Sequence, residues 1–277
     1  MLQPTRQARF SRFSGKSRPA GPGPRHTLAR FRTRRSRAAR AGVGWGVVEE
    51  ATGTEIGARL ADVRARIAEA AERVGRAGAV RLLAVSKNKP AEDIRAAYAA
   101  GQREFGENYA QELAQKAEAL RDLDGIVWHF IGRLQRNKAR QVAAVARVIH
   151  TVDRVELAVE LGKRATAAGA RLRVLVEVNV SGERSKGGCA PGELGAVLAT
   201  IHAAPGLEAA GLMTIPPDTE DPGEARPFFA ALRALRDAHG GAAALPELSM
   251  GMTHDFVVAI EEGATLVRVG TAIFGRR

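Results

Sequence analysis

Lys87 stands where the apolar run Leu82-Leu83-Ala84-Val85 gives way to Ser86-Lys87-Asn88-Lys89-Pro90. A short apolar run bounded by polar residues reads as a strand buried on both faces. Lys87 is then the first charge to leave the core, with Lys89 two residues on. Pro90 suits the first turn of a helix, and Ala91-Glu92-Asp93 supplies its opening acids. A neutral amine so placed can attack an aldehyde, forming a C=N bond and releasing water. Taken alone, the stretch also reads as a solvated lysine at a strand end.

A second set of candidate groups lies near the C-terminus. Gly270 lets the backbone approach a ligand, and Thr271 offers an N–H and a hydroxyl. Ser249-Met250-Gly251-Met252-Thr253 offers similar donors just ahead of a helix. Such groups suit a phosphate, although Gly251 and Gly270 also read as plain turn residues. Arg268 lies between Val267 and Val269, inside a strand, and needs a partner there. That partner is a ligand nitrogen, a ligand carboxylate, or a carboxylate of the fold such as Glu177. Ser185-Lys186-Gly187-Gly188 reads as a basic loop, with Lys186 a surface lysine or a second amine on a lid. His129 and His150 read as packed core histidines, and His254 falls in the first turn of a helix. No His, Cys, Asp or Glu cluster has metal-ligand spacing, and the Gly-x-Ser-x-Gly elbow is missing.

These residues have to be carried by repeated strand–helix units. Apolar runs predict strands over 80–86, 104–108, 127–132, 148–152, 172–180, 207–215, 247–250 and 265–270. Ile56, Leu60, Val63, Ile67 and Ala71 predict a leading helix over 55–77. Further helices fall over 90–100, 109–120, 134–146, 153–168, 191–203, 224–239 and 254–262, with Asp153 as a cap. The pattern reads as a (β/α)8 TIM barrel of the α/β class with an extra N-terminal helix. A doubly wound open sheet is the alternative, and the first βα turn lacks the Gly-x-Gly-x-x-Gly that would favour it. In a barrel, chemistry gathers at the C-terminal ends of the strands. Those ends carry Lys87, Asn108, Gly132, Asn179 to Lys186, Met213 to Pro216, Ser249 to Thr253 and Arg268 to Thr271.

The 277 residues are 45% hydrophobic, enough for one large domain. No run approaches the ~18 to 20 apolar residues of a membrane span. One cysteine, Cys189, excludes an intramolecular disulfide and fits the cytoplasm. The net charge of +12 belongs to one end: residues 1–48 hold 12 of the 42 Lys and Arg and none of the 30 Asp and Glu. The remainder is balanced, so no nucleic-acid function is expected of the barrel. Residues 1–46 are rich in Arg, Ser, Gly and Pro without periodicity and are expected to be a disordered basic tail. A targeting peptide and a nucleic-acid arm share this composition. The reading preferred here is an upstream frame translated from a misplaced start. A single barrel domain is expected over 47–277.

Several stretches match a known family. They are Ala84-Val85-Ser86-Lys87-Asn88-Lys89-Pro90, Phe105-Gly106-Glu107-Asn108-Tyr109, and His129-Phe130-Ile131-Gly132 with Leu134-Gln135 and Asn137-Lys138. They continue in Gly211-Leu212-Met213, Ser249-Met250-Gly251-Met252-Thr253 with Asp255-Phe256, and Val267-Arg268-Val269-Gly270-Thr271-Ala272-Ile273-Phe274-Gly275. In order and spacing the chain resembles the pyridoxal-phosphate homeostasis proteins from about residue 55 to 275. The resemblance implies a barrel like the N-terminal domain of alanine racemase, binding pyridoxal 5′-phosphate (PLP) as an imine on Lys87. It implies that Arg268 faces the pyridine nitrogen. It sets Ser249, Thr253, Gly270 and Thr271 in the phosphate-binding segments and Asn108 near the ring. Thr253 departs from the usual serine and keeps the hydroxyl.

The expected role is a non-catalytic, monomeric store of PLP, in transient contact with apo PLP enzymes and not with membranes. A PLP-dependent amino-acid racemase is the alternative, and a class I aldolase a weaker third. Residues 1–46 carry the charge but none of the periodicity. A protein beginning at Val47 is therefore expected to keep the thermal midpoint and PLP affinity of the full chain. Loss of either would make the tail part of the folded unit.

Overall fold

The computed structural model describes residues 45–183 and 185–275. Apart from its last two residues, the tail expected over 1–46 lies outside them. Eight parallel strands close into a barrel in chain order. They are β1 (Arg81–Val85), β2 (Glu104–Glu107), β3 (Val127–Phe130), β4 (Val148–Val152), β5 (Leu172–Glu177), β6 (Leu207–Met213), β7 (Glu247–Ser249) and β8 (Leu266–Val269). Closure is direct, with Leu83 of β1 in register with Arg268 of β8.

The surrounding helices are α1 (Trp45–Arg73), α2 (Ala91–Ala99), α3 (Ala110–Ala119), α4 (Ala139–Ala143), α5 (Val155–Ala167), α6 (Leu194–Ala203), α7 (Arg226–Ala238), α8 (Gly241–Ala244), α9 (Phe256–Glu261) and α10 (Thr271–Phe274). The βα alternation read from the sequence is thus present in order, with differences at the edges. The leading helix starts ten residues before the expected 55, because it continues along α2. A Cβ on Gly53 would stand 3.7 Å from that of Ala96. It stops before 77 because Gly75 takes φ +68° and Arg76 N–H turns back to Ala71 O at 2.8 Å. Asp153 does not cap α5. Arg154 holds the cap position, and the Asp153 carboxylate pairs with the Arg154 guanidinium. The segment expected as one helix over 134–146 is a 3₁₀ turn, Arg136–Lys138, followed by the short α4. The short helices α8 and α10 carry too few residues to show a period.

The core has two parts of different chemistry. Between strands and helices lies the large apolar layer, including Leu60, Phe105, Ile149, Phe229 and Phe256, all nearly inaccessible to solvent. Inside the barrel the apolar plug is small: Val148, Leu175, Ala210 and Met213. Polar side chains share the lumen with it. At the N-terminal ends of the strands, Glu247 takes Arg81 at 2.8 Å and Arg173 at 2.7 Å, while Arg81 also meets Glu104 at 3.0 Å. The two Glu247 pairs join strands that are not neighbours, so they bridge the lumen itself, while Arg81–Glu104 links the adjacent β1 and β2. Buried charges persist only when paired in this way.

Register sets one narrow point. The β5–β6 ladder slips between Val174 and Leu175, which pair Ala209 and Gly211. Gly211 also pairs Glu247 of β7, and a Cβ there would lie 1.9 Å from Glu247 O. Backbone cannot yield as a side-chain tip does. Gly211→Ala is therefore expected to cost about 3 kcal/mol, at the upper end of overpacking effects, and calorimetry should show a matching fall in thermal midpoint. An unchanged midpoint would mean that β6 and β7 are less closely apposed.

Candidate functional site

Lys87 follows β1 in a turn that is held from below. Ser86 N–H donates to Gly106 O at 3.0 Å, and Ser86 Oγ donates to Glu107 Oε1 at 2.6 Å. Lys116 of α3 is buried and gives its ammonium to Ser86 O at 2.6 Å and to Glu107 and Glu112, both at 2.7 Å. Glu112 in turn accepts Asn88 N–H at 2.6 Å. Asn88 takes φ +56°, a left-handed conformation that asparagine tolerates better than most residues. Lys89 is tied away from the site, its Nζ donating to Phe274 O at 2.8 Å. Half-buried Lys87 is left with its amine bonded to no other described residue.

Arg268 lies on the neighbouring strand, 4% exposed. Its Nη1 donates to Ser249 O at 2.7 Å and to Ser249 Oγ at 2.8 Å, and its Nη2 to Thr214 O at 3.0 Å. These are lumen acceptors, and no ion pair with Glu177 forms. Burial lowers the guanidinium to about 10, with Asp255 and Glu177 opposing, so it stays cationic at neutral pH. One Nη2–H and the Nε–H remain for a ligand. Ser249 is buried and turned inward, between Arg268 and His150.

The other expected residues line the same rim. Asn108 follows β2, half-buried, with its Oδ1 sequestered and unpartnered. It borders a cleft of about 400 Å³ that Tyr109, Arg133 and Lys138 also line. Gly132 is required beside it, since a Cβ would fall 2.0 Å from Asn108 O. Thr253 is half-buried in the loop after β7, which Asp255 folds by accepting Met252 N–H at 2.6 Å. His254 precedes α9 rather than lying in its first turn, and meets Glu220 O at 2.9 Å. Gly270 passes close to β1, where a Cβ would stand 3.0 Å from Val85 O. Thr271 is exposed at the start of α10, whose first N–H groups have no intrahelical acceptor. Arg268 N–H joins these two loops by donating to Gly251 O at 2.9 Å. The rim therefore gathers an amine, an arginine and two donor-rich loops. Lys186 reaches over it, with Nζ 3.4 Å from Pro216 O.

Sequence reasoning missed two groups. Lys116 reads as an ordinary helix lysine, and its one signal is Glu112 four residues earlier. Glu177 was noticed merely as a partner for Arg268. It ends β5 at 7% exposure with Gly187 packed over it. A second cleft, about 390 Å³, lies at the opposite end of the barrel beneath α1. The polar groups there are already engaged, Arg64 with Gln102 and Arg81 with Glu104. Among the described residues no cluster could hold a metal and no helix is long and apolar enough to cross a membrane.

Residues 59–277 match the family model described as alanine racemase, N-terminal domain. The alanine racemase from Corynebacterium glutamicum, at 18% identity and TM-score 0.62, covers 83% of this chain and 62% of its own, a likeness of fold. The barrel is thus of the alanine racemase type. The pyridoxal phosphate homeostasis protein of Aquifex aeolicus is 49% identical over 222 residues, 79% of this chain and 97% of that one. The structure of PipY of Synechococcus elongatus with PLP bound, 38% identical, superposes with TM-score 0.71 over 79% of this chain and 100% of that one. The chain belongs to the pyridoxal phosphate homeostasis protein family.

Burial, with Asp153 adding, raises the Glu177 carboxyl from 4.5 to about 7, while Arg268 and Arg133 pull it down. A carboxyl raised on folding holds more protons folded than unfolded between those values, so stability falls as pH rises through them. Glu177→Gln removes this dependence. In the ligand-free protein the variant should gain on wild type as pH rises from 4.5 to about 7, by up to about 3 kcal/mol. A pH-independent difference in denaturant titrations would show that Glu177 ionises normally.

Proposed function

We propose that this protein binds PLP through an imine on Lys87 and stores and delivers it to apo PLP enzymes in the cytoplasm. The observation that carries the reading is the Lys87 amine. It projects, unpaired, from a turn fixed by Ser86, Glu107 and Lys116, beside a buried arginine. The donor set fits the cofactor. Lys87 supplies a nucleophile for an aldehyde, with water leaving as the C=N bond forms. Arg268 has N–H groups to offer a ring nitrogen and no acceptor, so that nitrogen stays unprotonated. Thr253, Gly270 and Thr271 offer hydroxyl and backbone N–H groups suited to a phosphate, and the Oδ1 of Asn108 has no protein partner. Ser249 contributes through Arg268.

Bound PLP supplies an electrophilic aldehyde and an electron sink. An arginine opposite the ring nitrogen weakens that sink, which disfavours transaminase-type chemistry and leaves a carrier or a racemase. The tyrosines and the cysteine favour a carrier over a racemase. Racemisation needs proton transfer on both faces of the cofactor. The Tyr98 hydroxyl is committed to Asp124 O at 2.8 Å. The Cys189 thiol is pushed up to about 11 by burial, with Glu193 adding. Tyr109 opens α3 with 56% of its surface exposed.

Borohydride reduction and peptide mapping of PLP-loaded protein should place the adduct on Lys87, and Lys87→Ala should lose the yellow colour. Loaded protein should also restore an apo PLP enzyme. An adduct mainly on Lys186 would sink the Lys87 assignment. Production of a D-amino acid at ~1 s⁻¹, the low end of ordinary enzymes, would overturn the carrier reading.

A further inference from the structure

Five side chains form a continuous series through the barrel lumen. Arg268 Nη1 donates to Ser249 Oγ at 2.8 Å, and Ser249 Oγ lies 2.9 Å from His150 Nδ1. His150 Nε2 lies 2.8 Å from His129 Nδ1. His129 Nε2 faces Glu104 Oε2 at 3.3 Å, within ion-pair range but off line for a full hydrogen bond, so this is the weakest link. Glu104 in turn rests on Arg81. The series passes from β8 to β7, crosses the lumen to β4, and continues through β3 to β2. It therefore connects the rim that carries Lys87 with the far end of the barrel.

The two ends settle which way the hydrogens point. Arg268 has donors and no acceptor, so Ser249 Oγ must accept from it. Burial raises Glu104, but the close approach of His129 and the charge of Arg81 outweigh it and leave the carboxyl below its ordinary value. An ionised Glu104 needs a hydrogen on His129 Nε2. His129 Nδ1 is then the acceptor for His150 Nε2–H, and His150 Nδ1 the acceptor for the Ser249 hydroxyl. Burial, with His129 and Arg268 adding, holds His150 well below its ordinary value, so it carries one ring hydrogen. Each link has one donor and one acceptor, and both imidazoles are Nε2–H tautomers.

Nothing in the fold demands this arrangement. Val148, Leu175, Ala210 and Met213 fill the same lumen with apolar side chains, and apolar replacement of buried polar groups is often neutral or stabilising. We propose that Ser249, His150, His129 and Glu104 are positioning residues, a polarised hydrogen-bond chain that holds the Arg268 guanidinium in place against the cofactor ring. The inference rests on the reading of Arg268 given above. With the Ser249 hydrogen drawn toward His150, a lone pair of Oγ stays turned to the guanidinium.

Two measurements test it. ¹⁵N spectra of the imidazoles in the full chain should show both rings as Nε2–H tautomers at about pH 8, above the range where free histidine titrates, with His150 still neutral at about pH 6. An Nδ1–H tautomer at either ring, or an imidazolium at His150, overturns the polarity. On PLP-loaded protein, His150→Leu should weaken PLP by roughly threefold to tenfold, the loss of one hydrogen bond. It should shift the pH dependence of the PLP absorbance in the same direction as Arg268→Gln. The effect should vanish in the Arg268→Gln background, and His150→Gln, with a donor and an acceptor, should restore part of it. His150→Leu at wild-type affinity and spectrum, beside an altered Arg268→Gln, overturns the proposal alone. An unaltered Arg268→Gln overturns the reading of Arg268, and the proposal with it. Should His150→Leu fail to fold, the imidazole spectra and His150→Gln decide.

Discussion

A guanidinium cannot be buried without acceptors, and Arg268 sits at 4% exposure in the middle of a closed barrel. Much of the lumen answers to that requirement. Ser249 and Thr214 turn carbonyls toward it, and Ser249 adds its hydroxyl. Glu177 and Asp255 supply charge from nearby without forming a pair. A direct ion pair would have used the remaining N–H groups and neutralised the site. Carbonyl acceptors leave both the charge and the spare donors facing the rim.

The same economy governs the lysine turn. An amine that is to react must be held in place without being bonded. The turn solves this by fixing the residues on either side of Lys87 and leaving its side chain alone. Ser86 is bound through backbone and hydroxyl, and Asn88 through its N–H. The buried Lys116 pairs with Glu107 and Glu112 beneath the turn. Burial raises the Glu107 carboxyl, while hydrogen bonds from Lys116 and Ser86 draw it back. Loss of Lys116 would therefore reach Lys87 through Ser86 without touching it.

Two kinds of polar structure thus occupy the lumen. At the strand N-termini Arg81, Arg173, Glu104 and Glu247 neutralise one another. At the C-terminal rim the charges are left uneven, with lysine and arginine open and Glu177 raised by burial. The histidines lie between these regions.

The sequence by itself determined the order of the elements and the residues on the rim. Buried strands leave contiguous apolar runs, and a strand end is marked by the first polar residue, so Lys87, Asn108 and Thr271 could be placed without coordinates. Its limits are equally physical. Asp153 looks like a cap but pairs with Arg154, because side-chain competition for a carboxylate is not visible along the chain. His129 and His150 read as packed core residues, since each lies among apolar neighbours. Their contact exists because parallel register sets His129 of β3 opposite Val148, two residues from His150 on the same face of β4, and Ser249 joins them because closure brings β7 across the lumen. Partnerships between residues as far apart in the chain as His150 and Ser249 are decided by strand tilt and closure. Composition and period carry no record of either.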